Sequence, residues 1–430
     1  MIALSLFVGI ANANAQEKKT LSLDEAVQLG IQNSKNLKID AAKIEEATAD
    51  LLEAKNRQLP ELKVSGSYMY LPIKPNVDIK LPGVSGAGGP EVHQVLYGSA
   101  NLSVPIYSGG RIKYGIQSAK YLVEASKLST ENDKIAIAYN VAQAYNNLFK
   151  ANQSIKVFEE NLAASQKRDE TFLKMENNGL IARNDRLKAN LQTSNIELQL
   201  LEAKNNYNIA NINMDLLLGI PETTELAVDE NYIEEGSDVK PVDFYVTEAR
   251  ENRKDLQALA QQRKAAELGS KAAKAENLPS IAFTGGYVAA DIPKFLTVYN
   301  AINVGIGVSY NLSNLWKENS SLRQSQAREK QLAATDELLN DNIKLDVNRE
   351  YQNTDYSKKR IVVFEKSAEQ ANENYRITKN KYDNGLATMT ELLDADAAQI
   401  AANVGVINAK ADAALAYRKL LQTTGTLTIK

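Results

Sequence analysis

Apolar and polar positions alternate with period two in four short stretches. Leu62, Val64, Gly66, Tyr68 and Tyr70 alternate with Lys63, Ser65, Ser67 and Met69. Gly98, Ala100, Leu102, Val104 and Ile106 alternate with Tyr97, Ser99, Asn101 and Ser103. Ile281, Phe283 and Tyr287 alternate with Ala282, Thr284 and Gly286. The clearest run sets Ile302, Val304, Ile306, Val308, Tyr310 and Leu312 against Asn303, Gly305, Gly307, Ser309 and Asn311. This periodicity predicts strands over about 62–71, 96–106, 280–289 and 301–312. Around them the pattern is helical. Ser22 and Glu25 form a capping-box start, the pattern runs to about Arg57, and Pro60 ends it. Long helices are predicted over about 110–177, 180–218, 317–383 and 386–424. At 1.5 Å per residue the two longest each reach roughly 100 Å. Met389, Leu393, Ala397, Ile400, Val404, Ile407, Ala411 and Ala414 recur in steps of four and three, a coiled-coil seam that includes small residues. The other faces are rich in Asn, Gln, Lys and Glu, which suits a wall wetted on both sides.

The chain repeats itself. Asn178-Gly179-Leu180 returns as Asn384-Gly385-Leu386, 206 residues on, and each copy is followed by a helical run ending at a glycine, Gly219 and Gly425. Leu59-Pro60 returns as Leu278-Pro279, 219 residues on, whereas Ser103 and Ser309 are again 206 apart. The surplus of 13 residues therefore lies inside the first hairpin, in the Gly- and Pro-rich segment from Lys74 to Pro90. Insertions concentrate at exposed loop tips. The expected plan is a duplicated unit of short helices, a β-hairpin and a long helix pair, over 16–219 and 243–425. An acidic link over 220–242, with Glu230, Glu234, Glu235 and Asp238, reads as a belt around the helices near mid-length, and 426–430 is a tail.

Composition narrows the chemistry. The net charge of -3 implies no nucleic-acid partner, and the absence of cysteine excludes disulfides and a lipid-anchored N-terminal Cys. The single histidine, His93, falls in the variable loop. No His-Glu-x-x-His, Walker A or nucleophile-elbow pattern occurs, so no enzyme, metal site or cofactor is expected. Ile2 to Ile10 is apolar and Ala13-Asn14-Ala15 fits a cleavage site, so residues 1–15 read as a signal peptide. It lacks a basic start, which leaves Met1 open to being an internal start. No other stretch approaches 18 apolar residues, so any entry into a membrane is by strands.

Each strand has about ten residues, enough to cross a bilayer when tilted. Alternation alone fits an ordinary half-buried sheet equally well. The Asn, Ser, Gly and Thr face, with one Lys, favours a watery lumen. Tyr107, Tyr114 and Trp316 follow the strand ends, where an aromatic belt would sit. Four strands do not close a barrel, and lipid does not tolerate an open edge, so oligomerisation is expected. Two copies would give a filled eight-strand barrel; three would give twelve strands and a lumen.

With these features the chain resembles the TolC-type outer-membrane efflux protein family over essentially all of its mature length. The stretch from Tyr382 through Gly385, Glu391 and Asp394 to Ala395 is similar to the family's second-repeat signature, and Val104 to Gly110 looks like the end of its second strand. The resemblance implies a homotrimer with one 12-strand barrel in outer-membrane lipid, carried on a long α-helical barrel that crosses the periplasm and closes at its inner end. It implies a periplasmic adaptor protein, an inner-membrane RND or ABC transporter, and cargo that leaves unaltered. Efflux, type I secretion and heavy-metal export all remain open. Glu391 and Asp394 match the family's constriction carboxylates, and Tyr382 and Asp185 match its latch, expected as a hydrogen-bonded pair. Ala387 stands where better-known members carry an arginine, and Arg183 or Arg186 is the candidate substitute. The turns at Gly179 and Gly385 place both helix reversals opposite the hairpins, where a gate could close. Carboxylates three apart share one helix face, and threefold repetition would stack two rings that favour cations. The alternatives are that these charges only solvate a helix turn, or that the chain is a periplasmic coiled-coil adaptor or spacer without a membrane barrel.

Overall fold

The computed structural model describes residues 18–73, 92–229, 232–233, 239–293 and 295–428. The signal peptide, the Gly- and Pro-rich hairpin segment, and Glu230, Glu234, Glu235 and Asp238 of the link lie outside the described residues. Two compact units are present. One combines Ala42–Lys127 with Gln257–Glu337; the other combines Met1–Ala41, Leu128–Leu256 and Leu338–Lys430.

The first unit carries a four-stranded antiparallel sheet of β2 (Glu61–Tyr70), β3 (Gln94–Tyr107), β5 (Ser280–Ile292) and β6 (Leu296–Ser309), in the order β2-β3-β5-β6. Its register sorts the two faces. Leu62, Leu102, Gly285 and Val304 form one row across the sheet, and Val64, Ala100, Tyr287 and Ile302 the next on the same face. Between them, on the opposite face, runs Lys63, Asn101, Gly286 and Asn303. A Cβ on Gly286 would lie 2.3 Å from the Asn303 amide oxygen, so the polar row needs glycine there. Val64, Ile302 and Val304 are 78%, 73% and 69% exposed, far from the burial an ordinary sheet face reaches. Strand β6 stops at Ser309, short of the predicted 312, because the Asn311 side chain accepts from Ser313 N (3.1 Å) and starts a 3-10 turn over Leu312–Leu315.

The helices are α1 (Leu23–Asn33), α2 (Lys35–Asn56), α3 (Arg111–Asn177), α4 (Arg183–Leu218), α5 (Val242–Asn252), α6 (Lys254–Ala275), α7 (Ser320–Asp383) and α8 (Met389–Thr424). The helical pattern from Ser22 to Arg57 divides into two helices, parted at Ser34 (φ -56°, ψ 123°); Arg253 parts α5 from α6 in the same way (φ -63°, ψ 121°). The reason is tertiary. The last carbonyls of a helix lack intrahelical partners. Asn33 Nδ2 donates to Leu218 O at the end of α4 (2.7 Å), and Arg253 donates to Thr423 O at the end of α8 (3.2 Å). Each break thus receives the end of a long helix.

Two four-residue strands, β1 (Lys18–Leu21) and β4 (Glu225–Val228), pair in parallel within the second unit. Helix side chains hold them. The Tyr145 hydroxyl donates to Leu21 O and accepts from Asp229 N, both at 2.8 Å. Tyr207 donates to Leu226 O (2.7 Å), and the Asn211 amide accepts from Leu226 N (2.9 Å) and donates to Thr224 O (2.7 Å). Leu21, Leu226, Val228 and Tyr232 complete a core with Val141, Tyr145, Leu148, Met214 and Leu218.

Asp215 is buried at the last turn of α4. Its Oδ2 accepts from Asn211 (2.9 Å), while its Oδ1 is without a partner among the described residues. Burial, reinforced by Glu222, pushes its carboxyl from 3.8 up to about 6. The protonated form is therefore the one the fold prefers. Its stabilising contribution is present in acid and is lost as pH rises through about 6. Asp215→Asn is expected to stabilise the protein at pH 8 by about 1–3 kcal/mol and to change little at pH 4; thermal unfolding of the helical signal at the two pH values measures it.

Candidate functional site

Both long hairpins reverse at a glycine in the left-handed region, Gly179 (φ 72°) and Gly385 (φ 73°). Leu180 N donates to Met175 O (2.8 Å) and Gly179 N to Glu176 O (2.9 Å); Leu386 N donates to Lys381 O (2.7 Å) and Gly385 N to Tyr382 O (2.9 Å). These are paired Schellman closures, which need a residue at positive φ and so favour glycine. Leu180 and Leu386 beside them are exposed.

Above the turns the four helix ends share one apolar cluster. Phe172, Ala189, Met389 and Leu392 are its buried members, with Tyr375 and Tyr382 packed against them. The Tyr382 ring meets Phe172 edge-on at 5.9 Å. Its phenol is raised by burial first and then by the charges of Asp185 and Asp383. Asp185 is thus near enough to be felt, yet no Tyr382–Asp185 hydrogen bond is present among the described residues. Asp185 pairs instead with Lys188 (3.4 Å), whose Nζ also reaches Thr390 Oγ1 of α8 at 3.4 Å. Arg186 pairs with Glu176 across the first turn. Arg183 is exposed and has no ion-pair partner among the described residues.

Glu391 begins α8 as half of a capping box. Its carboxylate accepts from Thr388 N (2.7 Å) and Thr388 Oγ1 (2.9 Å), and Thr388 Oγ1 accepts from Glu391 N (3.2 Å). The hydrogen bond from the Thr388 backbone, then that from its hydroxyl, holds the carboxyl below its ordinary range. Asp394 lies one turn on, exposed. The charge at Glu391 is therefore fixed in place by the helix it starts, a role that the Thr388-to-Glu391 spacing carries just as Ser22-to-Glu25 does.

One element escaped the sequence reading. Arg168 of α3 and Asp396 of α8 form a two-pronged ion pair (2.6 and 3.2 Å), with side chains only 14% and 7% exposed. Tyr375 of α7 accepts from the same guanidinium (3.1 Å). Ser165 Oγ accepts a weaker contact (3.4 Å) and is itself bonded to Thr193 of α4 (2.8 Å). All four long helices meet in this polar node. The only sequence signal was position: Arg168 precedes Gly179 by eleven residues and Asp396 follows Gly385 by eleven.

Among the described residues no group of His, Cys, Asp or Glu is placed to hold a metal ion, and no helix is long and apolar enough to cross a membrane. An apolar-faced sheet in one unit, and long paired helices ending in a small charged cluster in the other, are the parts expected of an outer-membrane channel. The chain belongs to the outer membrane efflux protein family, whose pattern matches residues 26–220 and 245–426. A periplasmic spacer without a membrane sheet finds no support beside that match. No curated protein matches the chain. Among solved structures it is similar to the outer-membrane channel OprN (18% identity, TM-score 0.77, covering 94% of this chain and 89% of that one). It is similar to a membrane protein from Pseudomonas aeruginosa (17%, TM-score 0.81, 94% and 90%). It is also similar to the outer membrane protein VceC from Vibrio cholerae (18%, TM-score 0.78, 94% and 96%).

Because Glu391 closes the capping box, Glu391→Ala is expected to speed amide exchange several-fold at Thr388 and through the first turn of α8, while Asp394→Ala leaves those amides unchanged. Hydrogen–deuterium exchange with peptide resolution distinguishes the two.

Proposed function

We propose that three copies of this chain join edge to edge into one 12-strand barrel in the outer membrane, and that the helix-reversal end is a gate facing an adaptor protein and an inner-membrane pump. The apolar sheet face carries the reading. It is highly exposed on a sheet whose β2 and β6 edges have no partner among the described residues. Lipid accepts such a face but not such edges, so a neighbouring copy must pair them. The family match supports an exporting role with pump and adaptor partners, and the channel OprN supports a conducting one.

In this reading Glu391 and Asp394 of three copies ring the constriction and favour cations. Arg183, exposed and without an ion-pair partner among the described residues, is the cation proposed to reach a neighbour where Ala387 supplies none. Lys188 holds Asp185, which takes over part of the role expected of Tyr382. Mass measurement in detergent should return a trimer, and the trimer should conduct in planar bilayers. A monomer that conducts, or a trimer that does not, removes the proposal. Glu391→Gln with Asp394→Asn should reduce cation preference, read as a shift of reversal potential in a salt gradient, with trimers intact.

The two sheet faces should respond differently to charge. Val304→Arg places a cation on the lipid face and is expected to destabilise the barrel by roughly 2–4 kcal/mol, whereas Asn303→Arg, on the watery face, should be mild. Heat-modifiable migration in gels reports both; equal damage at the two positions would overturn the lipid-facing assignment.

A further inference from the structure

The four helices that enter the sheet carry unused cations on one side. At the junction of sheet and helices is a hollow lined by the polar sheet face, at Ser103 and Ala282, and by Glu53 of α2, Gly115 of α3, Gly269 of α6 and Ser325 of α7. These residues mark the inner side of each helix. A step of two residues turns an α-helix by about 200°. Lys55 is two after Glu53, Lys113 two before Gly115, Lys271 two after Gly269 and Arg323 two before Ser325. All four cations therefore lie on the side of the apolar sheet face, and all are exposed. Lys274, one turn on from Lys271, joins them.

The depth is as regular as the direction. Lys55 stands six residues before β2 opens at Glu61, Lys113 six after β3 closes at Tyr107, and Lys274 six before β5 opens at Ser280. Lys55 and Lys274 keep the 219-residue offset of Leu59-Pro60 and Leu278-Pro279, so both repeats carry the cation. Six residues of turn and helix span roughly 10 Å. A headgroup layer is about 5–8 Å deep on each side of the hydrocarbon. Tyr107, in one row with Ile281 and Val308 on the apolar face, stands between strands and lysines, the place of an interfacial aromatic.

Local structure does not use up these charges. Lys271 pairs with Glu267 and Arg323 with Glu318. Lys55, Lys113 and Lys274 have no ion-pair partner among the described residues. Lys55 and Lys274 sit in the last turns of α2 and α6, where the helix dipole favours a cation. Lys113 sits in the first turn of α3, where it opposes the dipole and no acidic residue offsets it.

We propose that Lys55, Lys113 and Lys274 form a collar that binds the headgroups of anionic phospholipids in the periplasmic leaflet. The strand order β2-β3-β5 makes α2, α3 and α6 neighbours, so the three ammonium groups face one stretch of membrane edge. The occupant is a lipid because the collar continues the apolar face: acyl chains lie along Val308 and Ile281 while the phosphate meets the lysines. The proposal rests on the reading that this sheet face meets lipid.

The test uses the full-length protein in mixed micelles of phosphatidylglycerol and phosphatidylcholine, equal in amount and matched in chains. The protein is washed on a column, and its retained lipid is extracted and quantified. Native protein is expected to hold phosphatidylglycerol about tenfold over phosphatidylcholine. That preference should fade as salt rises from about 0.1 to 1 M. Lys55→Gln with Lys113→Gln and Lys274→Gln should bring the ratio near one, and Arg at the same three positions should keep it. Lys113→Gln alone should lower it by roughly two- to fivefold. Lys120, Lys264 and Lys330 lie on the same side by the same two-residue step from Ser118, Gln262 and Arg328, but two or more turns farther from the sheet. Changing those three to Gln should leave the ratio unchanged. A native ratio near one, a ratio unmoved by the first triple change, or an equal fall with the deeper lysines overturns the collar. Loss of the preference in millimolar inorganic phosphate at matched ionic strength also overturns it, since the site would then serve a soluble anion. If the native protein does not float with vesicles of phosphatidylcholine alone, the lipid-facing reading falls and the collar with it.

Discussion

An unpaired strand edge beside an apolar face is the constraint from which the rest of the molecule follows. Each backbone N–H and C=O in lipid needs a partner, and four strands in the order β2-β3-β5-β6 leave two rows of them open among the described residues. In the trimer proposed above, neighbouring copies supply those partners. Once the sheet is shared, a polar face of Ser65, Ser99, Asn101 and Asn303 becomes an interior, and the small residues on it acquire a purpose. Gly286 leaves room for Asn303, and Ser65 bonds to Ser99 across the strands (2.9 Å).

The strands and the helix reversals were legible because each obeys a local rule. Period-two alternation marks β2, β3, β5 and β6, and positive-φ glycines mark the turns at Gly179 and Gly385. What was not legible depends on partners far away in the chain. Ser34 and Arg253 interrupt strong helical patterns only because the ends of α4 and α8 arrive beside them. Strands β1 and β4 are too short to signal themselves and are held by Tyr145, Tyr207 and Asn211. The family signature pointed to Glu391 and Asp394 without marking the capping box at Glu391, which the Thr388-to-Glu391 spacing carries instead.

The duplication itself hid the buried node. Asp169 and Asn190 in the first repeat occupy the places that Tyr375 and Asp396 hold in the second, 206 residues later. In the first repeat Asn190 donates to Asp169 (3.1 Å), a modest exposed bond; in the second, Arg168 reaches across to take Asp396 and Tyr375 together. Two copies of one plan have thus acquired different duties. A symmetric reading of the sequence predicts two equivalent hairpins, whereas the charges make one hairpin hold the other.

The pairing of β3 with β5 also sets an order of events in time. Leu96 meets Asp291 and Val104 meets Phe283, so the sheet is joined across the whole of α3 to α6. Loops of that length close slowly compared with a local hairpin. During export the hairpin of β2 and β3 would emerge first, and it must wait, apolar face uncovered, until the second repeat has followed. A waiting hairpin of this kind is prone to aggregate. Its yield would thus be governed by how soon the second repeat follows the first as much as by the stability of the finished fold.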